Sequence, residues 1–175
     1  PGAIRLATYN VENLFDEVDD PTLTGDQDDL PMAKPAPQRE AIAAAIRAVD
    51  ADVIALEEIE SKDTLVWFRD LYLSDMGYEY VESIDAGDDR GIENGVLSRF
   101  PISNPRVWVG MDLGGVHPDT YGDRGQANWM AGQPLKFRRT PLCVDLTIPA
   151  GTNLGGVAAD QPFEFTLFAI HHKSG

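Results

Sequence analysis

The first 76 residues alternate between strand-like and helix-like patterns, and this alternation constrains the fold more than any other feature of the sequence. Apolar and polar residues alternate over 3–11, which is typical of a strand. Residues 38–49 carry apolar side chains at three- and four-residue spacing, so we expect a helix there. The apolar run 52–56 predicts a buried strand. A second helix is expected over 62–76, with Ser61 as its N-cap.

Beyond this point the pattern changes to strands only, in a chain whose 175 residues suit a single domain. The order β-α-β-α followed by strands favours a layered α/β or α+β domain, whose sheet needs cover on both faces. The remaining strands are expected near 79–83, 95–98, 106–110, 138–148 and 163–171, and loops are expected over 16–37, 111–134 and 150–160.

Acidic side chains outnumber basic ones by 29 to 14, which gives a formal net charge of −15. A field of this sign opposes a polyanion at long range and disfavours tight, sequence-independent binding to a nucleic-acid duplex. A nuclease that acts through a bound divalent cation and a few local arginines remains compatible with this charge. The simpler interpretation is an acidic, soluble surface that has no bearing on the substrate.

Three segments begin as apolar strands and end in polar groups, namely 8–16, 51–60 and 168–174. If these strands lie side by side, their polar ends converge at one rim of the sheet. Carboxylate and amide oxygens there suit Mg²⁺, Mn²⁺ or Ca²⁺, and a histidine carries protons near neutral pH. Each segment alone has an ordinary interpretation as a solvated strand end or tail. Their joint appearance, in order, indicates a metal site paired with a histidine.

The same segments resemble the endonuclease/exonuclease/phosphatase superfamily, whose fold is that of deoxyribonuclease I. The family's strand ending in Asn-Val is matched by Asn10-Val11, and its Asp-Val-(Ile)-(Ala)-Leu-Gln-Glu motif resembles 52–58. Its Asn-(small)-(apolar)-Leu-Ser-Arg-x-Pro-Ile block resembles 94–102, and its arginine-led strand resembles 138–142. A strand ending in His-x-Lys-Ser resembles 171–174. The opening of the chain is most similar to a bacterial branch of the family.

The resemblance implies a role for each matching residue. Glu58 would be the principal metal ligand, and Asn10 would support the metal site or hold phosphate. His171 would contact the scissile phosphate and take part in proton transfer. The metal would be Mg²⁺, with Mn²⁺ or Ca²⁺ as alternatives. The substrate phosphate would be held by Arg139, Asn94 and Arg90.

The sequence departs from the family pattern in two ways. Glu57 stands where the family usually has Gln, which adds a negative charge beside Glu58 unless strand alternation turns the side chain away. The family's later Asp-x-Asn motif and Asp-His pair are absent from the 175 residues. We therefore interpret 1–175 as the N-terminal portion of one domain, with its C-terminal half in a second chain or a missing segment.

The resemblance implies one half of a four-layer α/β/β/α sandwich, with a mainly antiparallel sheet and two helices on its outer face. On this interpretation the second sheet is missing, so the inner face of the first sheet would be exposed as a large apolar patch.

The leading functional hypothesis is a divalent-metal-dependent phosphoesterase, incomplete and inactive as this chain alone. Its substrate would be a phosphodiester or phosphomonoester in a nucleic acid, a nucleotide or a phospholipid headgroup. The alternative is a non-catalytic interaction or regulatory half-domain. A third hypothesis, calcium binding by the acidic loop 16–29, lacks the regular ligand spacing of an EF-hand. Segment 111–134, with Trp129 and Tyr121, is either a loop that grips substrate or a glycine-rich surface insertion.

Two further expectations concern location. No stretch approaches the roughly 18 consecutive apolar residues needed to cross a bilayer, so stable membrane insertion is not expected. The acidic surface and a start at Pro1 that fits a processed terminus favour a secreted or periplasmic bacterial protein over a cytoplasmic one.

Overall fold

The computed structural model describes residues 2–18, 30–121, 125–137 and 139–172. Most of the acidic loop expected over 16–37 therefore lies outside the described residues, as do Lys173 and Ser174 of the last polar segment. The described elements are β1 (Leu6–Leu14), a 3₁₀ turn (Leu30–Met32), α1 (Ala36–Val49), β2 (Val53–Ile59), α2 (Lys62–Tyr72), β3 (Tyr80–Ser83), β4 (Glu93–Ser98), β5 (Ile102–Arg106), β6 (Asp112–Val116), β7 (Thr120–Tyr121), β8 (Gln126–Ala127), β9 (Pro134–Lys136), β10 (Leu142–Ile148) and β11 (Phe163–Ala169).

The first sheet has the strand order β1-β2-β4-β3. β1 and β2 pair in parallel, because α1 carries the chain back between them, and the other two pairings are antiparallel. Parallel pairing places the carboxyl ends of β1 and β2 at the same rim of the sheet. β4 runs the opposite way, so its first residues, Glu93 and Asn94, also lie at that rim.

Both helices pack on one face of this sheet. Their apolar stripes, which include Ile46 and Phe68, contact Ile54 and Leu97 on the strands. Ser61 caps α2 as expected, because its side chain accepts a hydrogen bond of 3.0 Å from the backbone N–H of Thr64. α2 ends at Tyr72, four residues before the expected end at Met76, and a turn fills the interval. No helix among the described residues is long and apolar enough to cross a membrane.

A second sheet, with the antiparallel order β11-β10-β5, covers the other face. Val53 and Val96 of the first sheet share an apolar core with Val144 and Leu146 of β10. The expectation of a missing second sheet and an exposed inner face is therefore wrong. β10 and β11, which the sequence predicted as strands, form this separate sheet together with β5. The α+β fold is confirmed, and the described chain builds three layers: helices, sheet and sheet.

Two expectations near the middle of the chain are also wrong. The strand expected over 106–110 instead occupies Ile102–Arg106, so it contains Pro105. β5 is an edge strand, where proline is tolerated because one side has no partner to bond. A turn closed by the Met111 N–H on the Trp108 carbonyl follows it. The segment expected to be a loop over 111–134 forms two small antiparallel two-stranded sheets, β6 with β9 and β7 with β8.

Candidate functional site

The six residues expected to form the site lie where the strand ends of both sheets meet. Asn10 is on β1, Glu58 is on β2 and Asn94 is on β4. Arg90 precedes β4, and the remaining two residues flank the second sheet: Arg139 before β10 and His171 after β11.

Glu58 sits at a backbone irregularity that turns its carboxylate toward the second sheet. Its φ of 64° lies in the left-handed region, and the pairing of β2 with β4 shifts register between Glu57 and Ile59. The opposite stretch of β1 shifts register too, with positive φ at Glu12 and Asn13. A left-handed conformation at a non-glycine residue costs on the order of 1 kcal/mol or more, and such strain clusters at functional sites. Bulges of this kind re-aim side chains next to active sites.

Glu58 and His171 form the central contact of the rim. The distance between Glu58 Oε1 and His171 Nε2 is 3.2 Å, and both side chains are largely buried. Burial, followed by the charge of Arg139, lowers the pKa of His171, whereas Glu58 acts in the opposite direction. The imidazole is therefore predominantly neutral near pH 7, and one of its nitrogens carries no proton.

Two arginines border this pair. Arg139 Nη1 lies 3.2 Å from His171 Nε2, and Arg90 Nη1 lies 3.8 Å from Glu58 Oε1. Nε2 of a neutral imidazole donates to Glu58 in one tautomer and accepts from Arg139 in the other. Asp88 holds both guanidinium groups, with its carboxylate oxygens 3.4 Å from Arg90 Nε and 3.6 Å from Arg139 Nε. The arrangement places two positive charges beside the carboxylates of Glu58 and Asp88 and beside the neutral His171.

The two asparagines have different surroundings. Asn10 is exposed, and its Oδ1 accepts a hydrogen bond of 2.8 Å from the Glu12 N–H. It shares an open depression of ≈ 670 Å³ with Glu58. Asn94 is buried and donates from Nδ2 to the Thr140 carbonyl oxygen at 3.1 Å, which ties the first sheet to the segment before β10. Its Oδ1 has no hydrogen-bond partner among the described residues, and Asn94 and Arg139 line the same narrow cavity.

Sequence comparison decides the family. The model of the Endonuclease/Exonuclease/phosphatase family matches residues 7–129, which is most of the chain. The chain belongs to the endonuclease/exonuclease/phosphatase family. The match includes Asn10, Glu58, Arg90 and Asn94, whereas Arg139 and His171 lie beyond it.

Two solved structures from bacteria resemble this family member along nearly all of its length. An endonuclease/exonuclease/phosphatase from Beutenbergia cavernae is 18% identical, with a TM-score of 0.45, and the alignment covers 95% of this chain and 37% of that one. A family protein from Bacteroides thetaiotaomicron is 15% identical, with a TM-score of 0.44, and the alignment covers 94% of this chain and 48% of that one. The chain thus spans less than half the length of either structure. No curated protein matches it.

Endonuclease/exonuclease/phosphatase proteins generally act on phosphoesters and use divalent metal ions. The described residues contain no group of three or more histidine, cysteine, aspartate or glutamate side chains placed to hold an ion. Mg²⁺, however, commonly takes only one or two carboxylates and completes its shell with water and substrate phosphate. Glu58, Asn10 and Glu12 offer hard oxygen donors to the same open depression. The donor chemistry of this family member therefore fits such an ion.

Sequence reasoning missed two features of the site, Asp88 and Lys34, and left the orientation of Glu57 open. Asp88 joins the two arginines, and its only sequence signal is the acidic run 85–89. Lys34 lines the depression from a segment without a recognisable motif. Glu57, the departure from the family pattern, accepts a hydrogen bond of 2.6 Å from the Thr8 hydroxyl, and burial raises its pKa. Its carboxylate is thus engaged by β1, whereas that of Glu58 faces His171.

Proposed function

We propose that this chain provides one part of a divalent-metal-dependent phosphoesterase that hydrolyses a phosphodiester or phosphomonoester by in-line attack of water. The observation that carries the proposal is the 3.2 Å contact between Glu58 of the first sheet and His171 of the second, bordered by two arginines. A carboxylate, a neutral imidazole and fixed guanidinium groups at one rim suit the charge and proton transfer of phosphate-ester hydrolysis.

In this proposal, Glu58 and Asn10 would hold the ion, which would be Mg²⁺ with Mn²⁺ or Ca²⁺ as substitutes. Such a cation would supply neutralisation of the phosphate charge and stabilisation of the charge that develops on the leaving oxygen. Arg90 and Arg139 bind non-bridging phosphate oxygens through guanidinium N–H groups. His171 approaches the scissile phosphate with a nitrogen that can hold a proton.

Asn94 contributes to this site indirectly. Because its amide is buried and bonded to the Thr140 carbonyl, it fixes the segment that leads to Arg139. We therefore assign the direct phosphate contacts to the arginines and regard Asn94 as a positioning residue. The formal charge of −15 favours a small or locally gripped phosphate ester over a long duplex.

We further propose that the active protein includes an Asp-x-Asn motif and an Asp-His pair from outside these residues, since neither occurs in the 175-residue sequence. The resemblance to the family implies that the first orients the attacking water and the second completes the metal shell. The chain alone is then expected to bind metal weakly and to turn over little substrate. The other hypothesis, a non-catalytic half-domain, predicts no turnover in the complete protein either.

The test uses this chain combined with the C-terminal half of its parent protein. Hydrolysis of bis-p-nitrophenyl phosphate with Mg²⁺ should be abolished by EDTA and fall by at least about 100-fold in Glu58→Gln and in His171→Ala. Two exposed residues serve as matched controls, and Glu79→Gln and His172→Ala should retain full rates. Full activity in both site variants would reject the assignment, and no activity in the unmodified complex would favour the non-catalytic alternative.

A further inference from the structure

Lys34 is a buried cation in the depression that Asn10 and Glu58 share. It precedes α1, and its backbone N–H donates to the Phe15 carbonyl at 3.0 Å, which anchors the segment against β1. Only 8% of the residue is exposed. Within the described part of the chain, its Nζ donates one hydrogen bond, of 3.3 Å, to Gln38 Oε1 one helical turn away. A lysine this buried usually has a charged partner.

Among the described residues, two carboxylates of the site act on Lys34. Glu12 and Glu58 act on its ammonium group and raise its pKa, whereas burial, the larger influence, lowers it. Both carboxylates line the depression with Lys34. No ion pair within 4.0 Å links Lys34 to either carboxylate in the described part of the chain. The ammonium therefore contributes a positive field to the depression rather than a salt bridge that holds two elements together.

We propose that Lys34 is a phosphate-binding residue of this site, whose fixed positive charge shares the depression with the metal ion. The inference rests on the proposed function and extends it by one residue. The ammonium has three N–H donors, of which Gln38 engages one among the described residues, and a phosphate oxygen entering the depression would accept from the ammonium as well. A buried cation is less screened than an exposed one, so its field acts on everything bound there.

This placement has two consequences of opposite sign. Because Lys34 repels a cation held by Glu58, removing its charge should tighten divalent metal binding. Because it attracts a phosphate oxygen, the same change should weaken phosphate binding. A lysine that only fills space would produce neither effect, and one that only stabilises the fold would weaken both ligands together. Tighter metal binding together with weaker phosphate binding would therefore show that the charge of Lys34 acts on both ligands.

The first measurement is Mn²⁺ binding to the full chain, by calorimetry and by electron paramagnetic resonance. Lys34→Met should lower the dissociation constant of Mn²⁺ by about three- to tenfold, as expected when a positive charge is removed from the depression that the ion shares. Lys34→Arg, which keeps the charge, should remain close to the unmodified protein. Lys62→Met is the matched control, because Lys62 is half-exposed and pairs with Glu82 at 3.0 Å, so its removal should leave Mn²⁺ affinity unchanged.

The second measurement is inorganic phosphate binding at saturating Mg²⁺. Phosphate should bind about tenfold more weakly to Lys34→Met and near normally to Lys34→Arg. Lys34→Gln, which keeps a polar end, replaces Lys34→Met if thermal unfolding shows that the apolar variant does not fold. Unchanged Mn²⁺ and phosphate affinities in these variants would overturn the role of Lys34. If Mn²⁺ binding also survives Glu58→Gln, the proposed metal site itself is wrong, so the two failures are distinguishable.

Discussion

Glu93, the first residue of β4, carries a carboxyl group that the fold keeps protonated. Its side chain is 5% exposed, and its Oε2 accepts a hydrogen bond of 2.6 Å from the Ala86 N–H. Burial is the main influence that raises its pKa to about 9, and a hydrogen bond and negative charge from Asp85 act in the same direction. Ionisation of Glu93 would place a second negative charge beside Asp85 in a buried environment, so the protonated form of Glu93 is favoured.

Replacing Glu93 with glutamine should therefore stabilise the protein at alkaline pH. The folded pKa lies above the unfolded one, so unfolding releases a proton between about pH 4.5 and 9, and stability falls as pH rises through that window. Glutamine keeps an acceptor for the Ala86 N–H but has no proton to lose. At pH 8, the free energy of unfolding of Glu93→Gln should exceed that of the unmodified protein by about 1 to 3 kcal/mol. This is less than the full difference between the folded and unfolded pKa would give.

Urea unfolding at several pH values between 5 and 8.5 measures this effect. The stability of Glu93→Gln should vary less with pH than that of the unmodified protein, and the two curves should converge near pH 5. Glu164→Gln, at an exposed position on β11, should follow the unmodified protein. Parallel curves for Glu93→Gln and the unmodified protein would show that Glu93 is ionised in the folded state.

At the residue scale, the sequence predicted which side chains lie at the rim better than it predicted their orientation and burial. Asn10, Glu58 and His171 follow apolar strands, and strand ends meet at rims, so their common location could be inferred. The left-handed backbone of Glu58 could not, because a bulge depends on pairing with two neighbouring strands. The burial of Asn94 and Lys34 depends on segments distant in sequence, and no local pattern records it.

At the scale of elements, Gly95 controls how closely α2 approaches β4. A Cβ at this position would lie 2.3 Å from Ile59 Cδ1 and 2.7 Å from Leu65 Cδ2. Gly95 has no positive φ, so alanine meets a steric clash without backbone strain. Gly95→Ala should therefore destabilise the protein by about 1 to 3 kcal/mol, even though alanine is otherwise preferred over glycine in a strand.

A double variant separates this clash from other causes. Ile59→Val removes the Cδ1 atom that the new methyl group would meet. Gly95→Ala combined with Ile59→Val should lose about 1 kcal/mol less stability than the sum of the single variants, as expected for groups in direct contact. Urea midpoints for the four proteins give this coupling. Strict additivity would mean that the cost of Gly95→Ala arises elsewhere.

The helices and central strands were predictable because their buried residues mark the sequence, with three- and four-residue apolar spacing in the helices and a continuous apolar run in β2. α1 and β2 begin and end within a few residues of the expected positions. The small two-stranded sheets between Asp112 and Lys136 were missed because their strands are short and largely exposed, and β6 contains two glycines, so no apolar alternation marks them. The position expected for β5 was wrong because Pro105 argues against a strand unless that strand lies at the edge of a sheet. The sequence does not show this edge position.

At the scale of the whole molecule, two apolar cores share the same pair of central strands. Ile54 and Leu97 face the helices, whereas Val53 and Val96 face the second sheet. The continuous apolar run of β2 fits a strand buried on both faces, as the sequence indicated. The sequence did not show what covers the inner face, because strand patterns specify neither how strands divide into sheets nor which sheets stack.

Because β2 and β4 belong to both cores, the layers should unfold together. Trp67 packs against the core under the helices, and Trp108 stacks on Phe168 of β11 at a ring-centre distance of 6.1 Å. The three tryptophans of the sequence allow one reporter at a time. Replacing Trp108 and Trp129 with phenylalanine leaves Trp67 to report on the helix layer, and replacing Trp67 and Trp129 leaves Trp108 to report on the second sheet.

Leu146→Ala in the second core tests this coupling. Leu146 is fully buried on β10, so its truncation should cost about 2 to 5 kcal/mol. In a cooperative molecule, the urea midpoints reported by Trp67 and by Trp108 fall by the same amount, each compared with its own single-tryptophan parent. A midpoint that falls at Trp108 and stays constant at Trp67 would show that the second sheet opens alone. His171 and Arg139 would then leave the site before Glu58 does, because both belong to segments next to β10 and β11.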